Sequence, residues 1–122
     1  IAQVIQTCGD QLDVYSGSDD QIVPLLALGA KGVISVLSNV MPRQTHDICQ
    51  LFFDGKIEQS RQLQLELLEL INALFSDVNP IPVKQAMNLM GYRCGSCRLP
   101  LDEMQPQARQ HLEELLRRHK LV

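Results

Sequence analysis

Two cysteines and two histidines are the side chains of this chain best suited to metal or redox chemistry. Cys94 and Cys97 have the Cys-x-x-Cys spacing of half a zinc site or of a redox pair. Zinc needs two further ligands, and paired histidines usually lie about three to five residues apart. His111 and His119 are eight residues apart. The spacing therefore favours two bystander thiols in a loop, with zinc or redox chemistry as the less favoured alternative.

A second set of polar residues has side chains of the types used in acid–base and imine chemistry. Asp19 and Asp20 are adjacent carboxylates, as in a general acid–base pair. Because they directly precede an apolar helical segment, capping of that helix and attraction to its dipole are the favoured interpretation. Lys84 follows Pro-Ile-Pro-Val, so we expect a first-turn helix lysine that pairs with a carboxylate or a backbone carbonyl.

The segments that would position these residues have the pattern of strand, helix, strand. Residues 12–15 and 33–36 are rich in apolar and β-branched side chains, and an apolar helical segment spans 21–28 between them. This is a βαβ unit with short loops, the repeat of parallel α/β folds. Helical periodicity predicts four further helices after it. They cover residues 42–53, 56–75, 82–91 and 106–120. The second of them has an apolar stripe that Leu65 and Leu68 widen, and the last has its apolar residues facing inward. The stripe is formed by Leu63, Leu67, Leu70, Ile71 and Leu74, and the inward residues are Leu112, Leu115 and Leu116.

The predicted strands are too few for a self-sufficient sheet. Two parallel strands cannot form a complete α/β domain, so we expect the end of a larger α/β fold with a helical tail. The chain has 122 residues and begins with Ile1, inside an apparent helix. We therefore expect a piece of a longer protein.

Composition excludes some classes of partner. The net charge is -3 and aromatic residues make up 4% of the chain, which argues against binding a nucleic-acid backbone or stacking on bases. No apolar run approaches the roughly 20 residues needed to span a membrane. No signal peptide is present, so we expect a cytoplasmic location. Neither nucleic acid nor membrane is an expected partner.

Four motifs occur in an order and at a spacing that resemble one enzyme family. They are Ser16-Gly17-x-Asp19-Asp20, Gly32-Val33-Ile34-Ser35-Val36 with Asn39-Val40, Asn79-Pro80-Ile81-Pro82-Val83-Lys84, and Arg98-Leu99-Pro100-Leu101. Together they resemble the dihydrodipicolinate synthase and N-acetylneuraminate lyase family of pyruvate-dependent class I aldolases. The second and third motifs are more similar to the dihydrodipicolinate synthase branch.

The resemblance implies a fold and a division into domains. The family fold is a TIM (β/α)8 barrel followed by a C-terminal helical domain. On that template, residues 12–15 are strand seven and residues 33–36 are strand eight. Residues 1–54 would be the last βα units of the barrel, and residues 55–122 the C-terminal helical domain. The expected fold class is therefore α/β.

The resemblance also implies a reaction, in which this chain supplies only part of the site. The family forms a Schiff base with pyruvate, and the dihydrodipicolinate synthase branch condenses pyruvate with aspartate semialdehyde in lysine (diaminopimelate) biosynthesis. The family's reactive lysine and its tyrosine lie upstream, so no catalytic residue is expected in this chain, which alone would be inactive. Gly17 and Ile34 are the expected substrate-binding residues, the latter through its backbone carbonyl. Asn39 follows the last predicted strand and is expected to support its loop. No cofactor or metal is implied, and family members are commonly homotetramers.

Two alternatives stay open at this point. An N-acetylneuraminate or keto-sugar-acid lyase would keep the imine chemistry and change the aldehyde. A non-catalytic helical interaction module would use the helix-rich region of residues 44–122 without any reaction.

Overall fold

The computed structural model describes residues 1–122 apart from the side chain of Asp10. The six α-helices are α1 (Ala2–Cys8), α2 (Ile22–Ala27), α3 (Pro42–Phe53), α4 (Ile57–Leu74), α5 (Ile81–Leu89) and α6 (Pro106–Arg118). The three short 3-10 helices are Gly9–Gln11, Asp19–Gln21 and Leu37–Asn39. Among the described residues, no helix combines the length and the apolar character that crossing a membrane requires.

The prediction of an α/β fold with two barrel strands is wrong for this chain. Across the described residues, neither 12–15 nor 33–36 forms a strand, and the pairing is reduced to one parallel bridge between Ser16 and Val33. The chain is otherwise helices and loops.

The reason lies in the small number of backbone hydrogen bonds that join the two extended segments. The Ser16 N–H donates to the Gly32 carbonyl at 2.9 Å, and the Ile34 N–H donates to the Ser16 carbonyl at 2.8 Å. A stable sheet needs more strands and a covered face, whereas the Ile34 side chain is 72% exposed. The β-branched run therefore gives extended backbone without a ladder, since β-propensity reflects packing against neighbours.

The predicted helices after residue 41 are confirmed to within about two residues, an ordinary uncertainty for helix ends. Pro42 and Pro106 each start a helix, where the missing N–H removes no intrahelical bond. The predicted helix over 21–28 is shorter than expected, because a 3-10 turn precedes α2.

The hydrophobic core is built around α4, which contacts α2, α3, α5 and α6. Its buried side chains follow the predicted helical stripe: Leu67, Leu70, Ile71 and Leu74. The inward face of α6 is also as predicted, with Leu112, Leu115 and Leu116 all fully buried. The expected widening of the α4 stripe at Leu65 is wrong, because this side chain is 55% exposed.

Two buried polar side chains join the segments around this core. The Gln64 carbonyl oxygen accepts from the Val23 N–H at 2.8 Å, and its amide nitrogen donates to the Asp20 carbonyl. The Ser60 hydroxyl donates to the Ile48 carbonyl at 2.7 Å. Because a buried polar group is costly unless it is hydrogen-bonded, these bonds fix α4 against α2 and α3. The proposed boundary at residue 54 stays a prediction.

Candidate functional site

A groove of about 620 Å³ lies between the loops around residues 17 and 34–39 and the helical segment that includes α5. Its loop side is formed by Gly17, Ile34, Ser35, Val36 and Asn39. Its helical side includes Phe75, Asn79, Val83, Lys84, Met87 and Cys94. The structure thus brings together Gly17 and Ile34, the two residues proposed from the sequence as substrate-binding, although their role in binding stays a prediction.

Ile34 is one of the residues that line this groove. Its N–H is occupied by the Ser16 carbonyl. In the described part of the chain, no backbone donor bonds to the Ile34 carbonyl, which leaves that oxygen able to accept a hydrogen bond from a ligand. Gly17 adds no side chain on the same wall, so a ligand can approach the backbone closely.

A buried carboxylate fixes the loop that follows Ile34. Asp19 is 1% exposed, and its Oδ2 accepts from the Val36 N–H at 3.0 Å and from the Leu37 N–H at 3.1 Å. The prediction that Asp19 and Asp20 cap the following helix is wrong, because no side chain makes a cap bond at either Asp19–Gln21 or α2. Asp19 stabilises a different element, 17 residues further along the chain.

Short-range bonds complete this loop. The Asn39 amide donates to the Val36 carbonyl at 2.9 Å, so the prediction that Asn39 supports the loop is confirmed. The Ser38 N–H donates to the Ser35 hydroxyl, and the Ser38 hydroxyl donates to the Ser35 carbonyl, both at 2.9 Å. The loop side of the groove therefore has a defined shape.

Two side chains of α5 hold the loop that forms one rim of the groove. The Lys84 amine donates to the Ser96 carbonyl at 2.6 Å, so the prediction of a lysine paired with a backbone carbonyl is confirmed. The Asn88 side chain accepts from the Cys94 N–H at 2.9 Å and donates to the Gly95 carbonyl at 3.0 Å. Lys84 is the one amine among the described residues that line the groove, and it serves a structural bond.

The thiols do not form a metal or disulfide site among the described residues. All four cysteines are free, and no group of three or more His, Cys, Asp or Glu side chains there is placed to hold a metal ion. Cys94 lines the groove, whereas Cys97 packs against the hydrophobic core. Burial raises the pKa of the Cys49 thiol, which keeps it protonated and a poor nucleophile.

The helical wall of the groove is the part that the sequence did not reveal. Four residues of this wall lie close together along the chain. Phe75 is at the end of α4, Asn79 is in the turn, and Val83 and Met87 are on α5. Apolar residues at helical spacing read as core, and only the tertiary packing of α5 beside the loops turns them into a groove wall. The sole available signal was the Asn-Pro-Ile-Pro-Val-Lys motif, to which no site role had been given.

On this groove lie Ile34, whose carbonyl receives no bond from a described backbone donor, the glycine at position 17, and Lys84, whose amine bonds the Ser96 carbonyl. Comparison with known proteins gives the class. The profile of the Dihydrodipicolinate synthetase family matches residues 1–119. The chain belongs to this family.

Individual relatives and solved structures are also similar to this chain. The chain is 52% identical, over all of its 122 residues, to a 4-hydroxy-tetrahydrodipicolinate synthase from Clostridium perfringens, of which it covers 42%. The crystal structure of dihydrodipicolinate synthase from Aquifex aeolicus superposes with a TM-score of 0.93 at 38% identity, covering 98% of this chain and 41% of that one. The chloride-inhibited dihydrodipicolinate synthase from Acinetobacter baumannii, solved in complex with pyruvate, gives 0.89 at 32% identity, covering 99% and 42%. This chain thus spans about two fifths of the length of the relatives it matches.

Proposed function

We propose that these 122 residues are part of a Schiff-base-forming lyase that condenses pyruvate with aspartate semialdehyde in lysine biosynthesis. The observation that carries the proposal is that Gly17 and Ile34, 17 residues apart in sequence, line one groove. Its support from relatives is their shared name, 4-hydroxy-tetrahydrodipicolinate synthase, and a similar chain that was crystallised with pyruvate. In this proposal the chain supplies one wall of the pyruvate site.

The chemistry explains what such a wall has to do. A lysine amine attacks the pyruvate ketone and water leaves, which forms an imine; loss of a methyl proton then gives an enamine that attacks the aldehyde. The wall must accept hydrogen bonds near the imine nitrogen and leave room for the small keto acid. The Ile34 carbonyl can accept the hydrogen bond near the imine nitrogen, and the missing side chain of Gly17 leaves room for the keto acid.

The attacking lysine belongs outside these 122 residues in this proposal. Lys84 donates to the Ser96 carbonyl, and an amine held in that bond is not directed at a substrate ketone. The three other lysines of the chain, Lys31, Lys56 and Lys120, are absent from the groove lining. The chain alone is then inactive toward pyruvate.

Assembly as a homotetramer is part of the same proposal. Several apolar side chains of the first 34 residues are exposed, among them Leu12 at 49%, Tyr15 at 50% and Leu28 at 47%. Surfaces of this kind are suited to burial against the rest of the polypeptide or a second subunit. Mass measurement of the assembled enzyme in solution tests the number.

A chimera provides the direct test of activity. These 122 residues replace the stretch of the Clostridium perfringens enzyme that they match, and the matched control is the remaining part of that enzyme expressed alone. We expect the chimera to consume aspartate semialdehyde in a pyruvate-dependent way, and the control not to. A folded chimera that is inactive with aspartate semialdehyde, or that uses a sugar aldehyde instead, contradicts the proposal.

A further inference from the structure

Asp19 links the two loops that carry Gly17 and Ile34. It lies two residues after Gly17, and its Oδ2 bonds the backbone of Val36 and Leu37, two and three residues after Ile34. The partners are 17 and 18 residues away in sequence. One carboxylate therefore connects the two loops.

The burial of this carboxylate makes its hydrogen bonds important. Asp19 is 1% exposed, and a buried carboxylate is costly unless hydrogen bonds compensate for the lost water. Its Oδ2 receives two N–H donors at the start of the 3-10 helix Leu37–Asn39. Its Oδ1 is buried and has no partner among the described residues. Packing alone does not explain an acid at this position.

The link restricts Ile34 from both directions. On one side the Ile34 N–H is bonded to the Ser16 carbonyl at 2.8 Å, and Ser16 is 1% exposed. The Ser16 hydroxyl donates to the Ser18 carbonyl at 2.7 Å, which tightens the turn at Gly17. On the other side Asp19 holds Val36. Between these anchors only Ile34 and Ser35 are left, so the direction of the Ile34 carbonyl is set.

We infer that Asp19 is a positioning residue of the pyruvate site: its buried carboxylate sets the Ile34 carbonyl relative to Gly17 without touching the substrate. This inference rests on the proposed function. It gives Asp19 a role different from acid–base catalysis, because the carboxylate is absent from the groove lining. It also explains why the loop adopts one shape although the side chain of Ile34 is 72% exposed.

The test uses three variants of the active chimera. Asp19→Ala removes the acceptor, Asp19→Asn keeps an oxygen for the same two N–H groups, and Asp20→Ala alters the neighbouring side chain, which is exposed. Because small displacements of positioning groups cost up to about a hundredfold, we expect Asp19→Ala to raise the KM for pyruvate by about tenfold or more. The KM for aspartate semialdehyde should change much less. Asp19→Asn should stay within about threefold of the parent, and Asp20→Ala should match it.

Each outcome separates this inference from the proposed function. If the parent chimera is inactive, the proposed function itself is wrong. The positioning role is overturned if the parent is active and Asp19→Ala leaves the KM for pyruvate unchanged. It is also overturned if a folded Asp19→Asn variant raises the KM for pyruvate as much as Asp19→Ala does. If circular dichroism shows that Asp19→Ala does not fold, Asp19→Glu provides the decision, because it keeps the carboxylate but moves it by one methylene relative to the N–H groups of Val36 and Leu37. A raised KM for pyruvate in a folded Asp19→Glu variant then supports the inference, and an unchanged KM overturns it.

Discussion

Substitution of Gly17 by alanine separates a binding role from a simple turn. A Cβ atom built at Gly17 meets no other atom within 4 Å, and Gly17 is not among the glycines with positive φ. The fold should therefore accept the change, and reduced freedom of the unfolded chain should stabilise it by up to about 1 kcal/mol. Gly17 lines the groove, so the new methyl group adds bulk at its wall. If pyruvate contacts this wall, the methyl group should cost about 1–3 kcal/mol of binding.

The assay measures stability and kinetics on the same chimera. This cost of about 1–3 kcal/mol corresponds to a kcat/KM for pyruvate reduced by about 5- to 150-fold, with an unchanged or slightly higher melting temperature. Gly29→Ala is the matched control. Gly29 also has no atom within 4 Å of an added Cβ, but its φ is +103° and it lies outside the groove lining. Gly29→Ala should lose about 1–2 kcal/mol of stability from backbone strain and keep the parent's kcat/KM for pyruvate.

Two results would refute this reasoning. If Gly17→Ala keeps full kcat/KM for pyruvate while folding normally, Gly17 is a turn residue and the groove is not the pyruvate site. If both alanine variants lose activity and stability in parallel, the loss is structural, and the predicted loss of pyruvate binding without loss of stability in Gly17→Ala is wrong.

Three further predictions concern the core, the rim of the groove and the surface. Leu70 is fully buried, so Leu70→Ala should lower the free energy of unfolding by about 2–5 kcal/mol in denaturant titration. Lys84→Met removes the bond to the 94–97 loop and should speed the reaction of Cys94 with a thiol reagent in a timed labelling assay. Hydrogen bonding and attraction from Arg61 lower the pKa of Glu58, so Arg61→Gln should raise that pKa in an NMR titration. The stabilisation from this pair is present above the pKa of the unfolded state and is lost as pH falls through the lowered value.

The same three predictions have matched controls and contrary outcomes. Leu65 is 55% exposed, so Leu65→Ala should change stability by no more than about 0.5 kcal/mol, and equal losses at both leucines would contradict the core assignment. Lys56→Met should leave the labelling rate of Cys94 unchanged, and a rate unaltered by Lys84→Met would show that the rim does not depend on Lys84. If the pKa of Glu58 is the same in Arg61→Gln as in the parent, the assignment of the ion pair is contradicted.

The sequence predicted the helices well because their information is local. Apolar spacing placed Leu67, Leu70 and Ile71 on the buried face of α4, and Pro42 marked the start of α3. The strands failed for the opposite reason. A strand depends on neighbours that the sequence of the segment does not contain, and the extended segment around Ile34 finds only one short partner among the described residues.

The candidate site was only half predictable. Gly17 and Ile34 were found through motifs, and they do share a groove. The role of Asp19 was missed because an acid before an apolar segment is typical of a helix cap, whereas its partners, Val36 and Leu37, lie in another loop. The position of Met87 in the groove wall was missed because the sequence pattern of a helical methionine indicates a core residue, and only the fold places it beside a loop.

Reduction of the pyruvate imine in the chimera is the most direct test of the central claim, which is that this chain forms a wall of the pyruvate site and leaves the attacking lysine to the rest of the enzyme. The chimera is treated with pyruvate and borohydride, then analysed by intact mass and peptide mapping. We expect one pyruvate adduct, on a lysine outside these 122 residues, and a lower adduct yield in Gly17→Ala. An adduct on Lys31, Lys56, Lys84 or Lys120, or no adduct on an otherwise folded chimera, would contradict the account.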